Sequence, residues 1–264
     1  AAEVGCNTFL LEKGNELGGL ASLISRIPAK NRLADFPHYL MHRAEQLENL
    51  YIFKNTEGTP ENIRKFHPNI IVSSTGSAPL LPPITGLKDR IDNENYNIYS
   101  ILGMISHIND FPKDLEGKKV VVVGGGAVGL DVVEFFADRN ADISIVEMMD
   151  QIGRDLDPVS KNDTKTMMKK HNVHQLTKTA LLEVKDSSFL VKGDGEPYEL
   201  PFEYGFVCLG MRAQGQLYQN LTEEFSSEDV EIMNIGDSQR ARRIIDGTQE
   251  GRNILTVLEQ KGYL

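Results

Sequence analysis

The sequence predicts an α/β protein of two parallel-sheet units, with the second inserted into the first. Three observations carry this: a valine-rich strand that runs into a glycine-rich loop and an apolar helix, a carboxylate that closes the following strand, and a second copy of that pattern earlier in the chain.

The loop comes first because each of its residues has a physical reason. Val120-Val-Val-Val is a run of β-branched residues suited to a buried parallel strand. Gly124 permits the tight turn, Gly126 has no side chain to hold a pyrophosphate away, and Gly129 lets the next helix pack closely on the strand. Leu130, Val133, Phe136 and Ala137 follow at helical spacing. Ala127 and Val128 therefore open a helix whose free N–H groups face the bound phosphates. Ile143-Ser-Ile-Val reads as the second strand, and Glu147 closes it where a carboxylate accepts hydrogen bonds from an adenosine ribose. That carboxylate repels a 2′-phosphate, and Met148-Met149-Asp150 supplies no Lys or Arg to receive one, so NADH is expected over NADPH.

The duplication extends the pattern. Residues 2–18 lie over 137–153 at a constant offset of 135, with Ala2 on Ala137, Leu11 on Val146, Glu12 on Glu147 and Gly18 on Gly153. Ile70-Ile-Val-Ser-Ser-Thr-Gly76 lies over Gly205-Phe-Val-Cys-Leu-Gly210 within one residue of that offset. The chain is thus expected to hold two Rossmann-like dinucleotide-binding domains: residues 1–95 and 211–264 form one, and 96–210 the other. Pro79, Pro82 and Pro83 mark the outward crossing near Gly86. By the same alignment the first glycine loop falls before Ala1, so Ala1 to Gly5 read as the last turn of a helix ending at Gly5. Residues 88–117 read as linker with a short helix, Val159 onward as a helix ending in Lys169-Lys170-His171, and Leu176 to Gly195 as a hairpin.

Composition narrows the function. Of 264 residues 40% are hydrophobic and 25% charged, near the average for a folded soluble protein. A formal charge of -10 leaves no general attraction for nucleic acid or an anionic membrane surface. No apolar run approaches the roughly 20 residues of a membrane helix, and no signal segment opens the chain, so a cytoplasmic protein is expected. Cys6 and Cys208 are the only cysteines, which leaves no dithiol motif and no set of cluster ligands; both lie in apolar, strand-like runs and read as buried thiols. His38 and His42 stand four apart without a third ligand and read as a solvated helix face. Arg240, Arg242 and Arg243 divide between surface roles and contact with a cofactor phosphate.

Taken in order, Glu12-Lys-Gly-Asn-Glu-Leu-Gly18-Gly19, Ser74-Thr75-Gly76, the Gly124–Gly129 loop, Cys208-Leu-Gly210 and Ile235-Gly236-Asp237 resemble the flavin- and pyridine-nucleotide-dependent oxidoreductases. Ile27-Pro-Ala-Lys30 and Arg242-Arg-Ile-Ile245 are similar to the C-terminal half of 2,4-dienoyl-CoA and 2-enoate reductases, of the NADH:flavin oxidoreductase (old yellow enzyme) family. Ser74 departs from that pattern, which usually has Ala there. The resemblance implies FAD and NADH as cofactors. Glu12 would hold the FAD adenosine ribose, Gly18 and Gly19 would lie near its pyrophosphate, and Thr75 and Gly76 would pass beside it. Gly236 and Asp237 would meet its ribityl or phosphate region, and Gly210 would take part in cofactor binding. It further implies an N-terminal barrel with FMN and an iron–sulfur cluster that reduces an enoate, outside these residues. The chain is then expected to be an NADH-dependent flavin oxidoreductase fragment, inactive in isolation. A non-catalytic nucleotide-binding module of a larger flavoprotein is the alternative.

Overall fold

In the computed structural model, which describes residues 1–264, residues 1–26, 30–78 and 211–264 form one unit and residues 27–29 and 79–210 the other. The second is inserted in the first; the boundary falls at Ala78–Pro79, at the first of the prolines expected to mark the crossing and ahead of the expected bound at residue 95. Packing explains the difference. Leu87 is fully buried in the second unit's core beside Ile98, Val121 and Phe189, and the Val184 amide donates to the Thr85 carbonyl at 2.9 Å.

The first unit opens with a single 3-10 turn, Ala2–Val4, closed by Gly5 in the left-handed region at φ 97°. Then come β1 (Thr8–Leu11), α1 (Gly19–Ile24), α2 (Asp35–Ala44), β2 (Leu50–Phe53), α3 (Pro60–Arg64) and β3 (Ile70–Ser73), with β4 (Ser77–Pro79) at the crossing. β1 and β2 pair in parallel. Phe9, Tyr51, Phe53 and Phe66 form an aromatic cluster on this pair, with centroid separations of 4.7 to 5.2 Å. α3 starts where Thr59 Oγ1 accepts the Asn62 amide at 3.2 Å and Pro60 takes the first helical position.

The second unit contains α4 (Leu87–Arg90), β5 (Ile98–Tyr99), α5 (Ile101–Ser106), β6 (Lys119–Val123), α6 (Ala127–Ala137), β7 (Asp142–Val146), α7 (Pro158–Lys170), β8 (His174–Leu176), β9 (Ala180–Val184), β10 (Ser188–Lys192), β11 (Tyr198–Pro201) and β12 (Tyr204–Val207). Its main sheet is wholly parallel, in the order β5-β12-β6-β7-β8. Val120 to Val123 are all buried, which is why that strand carries no polar alternation. α6 covers it with Leu130, Val132, Val133, Phe135, Phe136 and Ala137, each buried. α7 begins at Asp157, whose carboxylate accepts the Val159 and Ser160 amides at 2.9 and 3.1 Å, and ends on Lys169 and Lys170, cations that suit a helix C-terminus.

Two sequence expectations change here. The 88–117 segment holds the expected short helix as α5, buried and started where Ser100 Oγ accepts from Gly103 N at 3.1 Å, but it is not a linker: it also supplies the edge strand β5. Asp92 Oδ1 accepts the Ser100 amide at 2.8 Å, and the short strand gave too few residues for a period to show. The 176–195 segment is likewise more than a hairpin. Leu176 ends β8 in the parallel sheet, and β9, β10 and β11 make a separate antiparallel sheet.

The chain returns to the first unit with β13 (Met211–Ala213), α8 (Gln216–Glu224), β14 (Glu231–Asn234) and α9 (Ile244–Gln260). β14 pairs in parallel with β3, and Ile71, Leu221 and Phe225 are buried together behind them. Arg64 lies 4.3 Å over the Phe225 ring and pairs with Glu228.

The duplication seen in the sequence recurs bond for bond. Glu12 N donates to the Phe53 carbonyl, Thr56 N to that of Glu12 and Asn55 N to that of Gly14, each at 2.9 Å. In the second unit Glu147 N donates to Leu176, Thr179 N to Glu147 and Lys178 N to Met149, again each at 2.9 Å. Asn55 and Lys178 share a left-handed conformation, φ 52° and 51°. One difference lies at the glycine loop. β6 stands between β7 and β12, whereas their counterparts β1 and β3 belong to separate two-stranded sheets.

Candidate nucleotide-binding sites

At the C-terminal edge of the second unit's sheet, Gly124 leaves β6 with φ 106° between its two neighbours. Its amide donates to Val146 O at 2.8 Å, and Cys208 N donates to Val123 O at 2.7 Å. A Cβ on Gly124 would stand 2.1 Å from the Cys208 carbonyl, and one on Gly129 would stand 1.9 Å from that of Gly124. Both positions therefore require glycine for backbone packing. Gly126 differs: a Cβ there meets nothing within 4 Å, so its bareness leaves open space at the start of α6. Ala127 and Val128 form the first turn, where helix N–H groups have no partner within the helix.

Glu147 is brought to the same edge. Its Oε2 accepts the Gly125 amide and its Oε1 the Met149 amide, both at 2.7 Å. Gly125, passed over in the sequence, thus ties the carboxylate to the glycine loop. A carboxylate has about four acceptor directions, of which these two amides use two. Gly153, one of the duplicated glycines, donates to Gly125 O at 2.7 Å, and Gly210 leaves the sheet at φ 104°. These residues fit a dinucleotide: a bare approach at Gly126, a helix start beside it, and a fixed anion at the strand end.

The first unit places its residues in two groups. On the β1–β2 pair, Glu12 Oε1 accepts Gly14 N at 2.6 Å, the same two-residue reach that Glu147 makes to Met149. Gly18 and Gly19 are both left-handed, at φ 101° and 51°, and start α1. On the β3–β14 pair, Thr75 Oγ1 donates to Gln214 O at 2.6 Å, and Gly76, at φ 74°, accepts Gln214 N at 2.9 Å. Asp237 lies in a 3-10 turn with Gly236; its Oδ2 accepts from Ser77 Oγ and its Oδ1 from Arg242 N, both at 3.0 Å.

The other residues that the sequence singled out have these surroundings. Arg242 Nη2 is paired with Glu250 Oε1 at 2.5 Å rather than free for a phosphate. Cys208 is buried, and burial pushes its thiol up to about 12, so it stays protonated. Cys6 is only half-buried and lies before β1, because the strand begins at Thr8. His38 and His42 lie on α2, where His42 is exposed beside Glu45 at 4.0 Å, and no cluster of metal-binding side chains occurs. No helix is long and apolar enough to cross a membrane.

This is the FAD/NAD(P)-binding α/β fold. Residues 46–233 match the family described as pyridine nucleotide-disulphide oxidoreductase, and the chain belongs to that family. It is 25% identical over 95% of its length to an NADH oxidase of Thermoanaerobacter brockii, and 26% identical over 96% to a metal reductase of Desulforamulus reducens. Among solved structures, a 2-naphthoyl-CoA reductase complex superposes over 95% of the chain with a TM-score of 0.79 at 22% identity, a likeness of fold. The chain spans 37% and 40% of the two relatives and 36% of that structure. Family and relatives together support FAD and NADH as cofactors of an oxidoreductase.

Proposed function

We propose that this chain is the part of a larger flavoprotein that brings NADH to FAD for hydride transfer. The observation that carries it is the joined arrangement of Gly124–Gly129, the start of α6 and Glu147, with the same carboxylate geometry repeated at Glu12. When bound, the two cofactors supply the redox chemistry; the chain supplies binding and orientation. α6 and Gly126 receive the NADH pyrophosphate, and Glu147 accepts its adenosine ribose hydroxyls. Glu12 does the same for FAD, Gly18, Gly19, Thr75 and Gly76 line its path, and Gly236 and Asp237 hold its ribityl or phosphate region. Gly210 borders the NADH site.

The finer reading is a feeder half for an N-terminal FMN and iron–sulfur barrel that reduces enoates, as in the 2-enoate and 2,4-dienoyl-CoA reductases of the old yellow enzyme family. Its support is the Ile27–Lys30 and Arg242–Ile245 segments and the chain's coverage of little more than a third of its relatives. Anaerobic addition of NADH to the natural gene product tests the function: flavin absorption is expected to bleach at once. Flavin that stays oxidised would favour the non-catalytic module instead.

Glu147 also sets a preference between nucleotides. Its carboxylate is held by two backbone amides and cannot swing away from a 2′-phosphate. NADH is expected to bind about 10- to 100-fold more tightly than NADPH, the worth of a charge-assisted hydrogen bond of roughly 1.5–3 kcal/mol. Titrating both against the chain checks this, and equal affinities would remove the role given to Glu147.

A further inference from the structure

The Gly236–Asp237 turn is locked by Arg242 together with Gly247 and Glu250, two residues the sequence did not single out. α9 packs on it glycine to glycine: a Cβ built on Gly247 would stand 3.5 Å from the Gly236 Cα, so no side chain separates helix from turn. Glu250 follows Gly247 by about one helical turn and reaches the same place. Its Oε2 accepts the Gly236 amide at 2.6 Å and its Oε1 accepts Arg242 Nη2 at 2.5 Å. Arg242 Nε donates to the Arg240 carbonyl at 3.2 Å, so its guanidinium is held on two sides. The Arg242 backbone amide, fixed in this way, is the donor to Asp237 Oδ1.

We propose that Glu250 is the positioning residue of the flavin half, fixing the direction of the Asp237 carboxylate through the Gly236 amide and Arg242. This rests on the reading of Gly236 and Asp237 as the flavin edge. The Gly236 amide, and after it Arg242, holds the Glu250 carboxyl below the ordinary range for glutamate, so it remains a charged double acceptor. Ser77 Oγ supplies the second restraint, on Asp237 Oδ2. With one oxygen set by Ser77 and the other by Arg242, the carboxylate has a single orientation, and only Glu250 ties Arg242 to the turn and to α9 together.

Glu250→Gln tests it, made in the natural gene product. A glutamine has one acceptor oxygen, so it satisfies Gly236 and turns its NH2 on Arg242, or the reverse. Hydrogen exchange over residues 235–243 of the flavin-free protein is expected to quicken about 10-fold or more, with the rest unchanged. FAD affinity should fall about 10- to 100-fold while NADH affinity holds. Adding Arg242→Met removes the donor that faces the glutamine NH2, so the double variant should bind FAD no worse than Glu250→Gln alone. Unchanged exchange, or quickened exchange with unaltered FAD affinity, overturns the proposal; so does a double variant in which the two losses simply add. Asp237→Ala separates the underlying reading: FAD affinity untouched by that change would remove Asp237 from the flavin site, while exchange in Glu250→Gln would still decide whether Glu250 holds the turn.

Discussion

Gly129→Val should abolish measurable NADH binding and destabilise the second unit. A Cβ at this position would stand 1.9 Å from the Gly124 carbonyl oxygen and 3.5 Å from Val122 Cγ1, and the first is backbone that no rotamer change relieves. α6 must then move off the end of β6, taking six buried side chains from Leu130 to Ala137 with it. Overpacking of this kind costs about 1–3 kcal/mol or more, which for a domain of this size lowers Tm by roughly 2–4 °C per kcal/mol. The helix start also leaves the position from which it meets a pyrophosphate, so affinity should drop more than about 100-fold. Gly126→Ala is the contrasting change. Gly126 has an ordinary φ of -79° and open space around it, so stability should stay within about 0.5 kcal/mol of the parent. NADH affinity should nonetheless fall about 10-fold or more, because the new methyl occupies the approach of the phosphates. Calorimetric titration with thermal melts reads both. Wild-type binding by Gly126→Ala would show that the pyrophosphate does not lie on this loop.

The 264-residue chain should carry little or no FAD when purified, yet still bind NADH. In the second unit β6 joins β7 to β12 and delivers the glycine loop between them; in the first unit β1 pairs with β2 and β3 with β14, and nothing described joins β1 to β3. The charge-assisted contacts that such a loop makes to a pyrophosphate are therefore lacking on the flavin side, while Glu12 and Asp237 remain. Incubation with excess FAD followed by gel filtration should leave well under one flavin per chain. A yellow, near-stoichiometric complex would mean that the β1–β2 and β3–β14 pairs suffice, and the counterpart of β6 would not be needed.

The sequence by itself determined those features that rest on short-range chemistry. A valine strand, a glycine loop and an apolar helix form a local pattern, so β6, α6 and Glu147 were legible; gap-free duplication extended the reading to Glu12 and Gly18, and a match within one residue of the same offset extended it to the ends of β3 and β12. The cations Lys169 and Lys170 announced the end of α7, while its start at Asp157 and Pro158 went unread. Tertiary structure decided whatever depended on which residues meet across the chain. Strand β5 has two residues and owes its existence to pairing with β12, so it carried no period of its own. Leu87 belongs to the second unit because it packs beside Val121 and Phe189, far along the chain. The role of Glu250 is of the same kind: a glutamate on a helix looks like any solvated acid until the fold sets it against the amide of Gly236, and local sequence holds no record of that meeting.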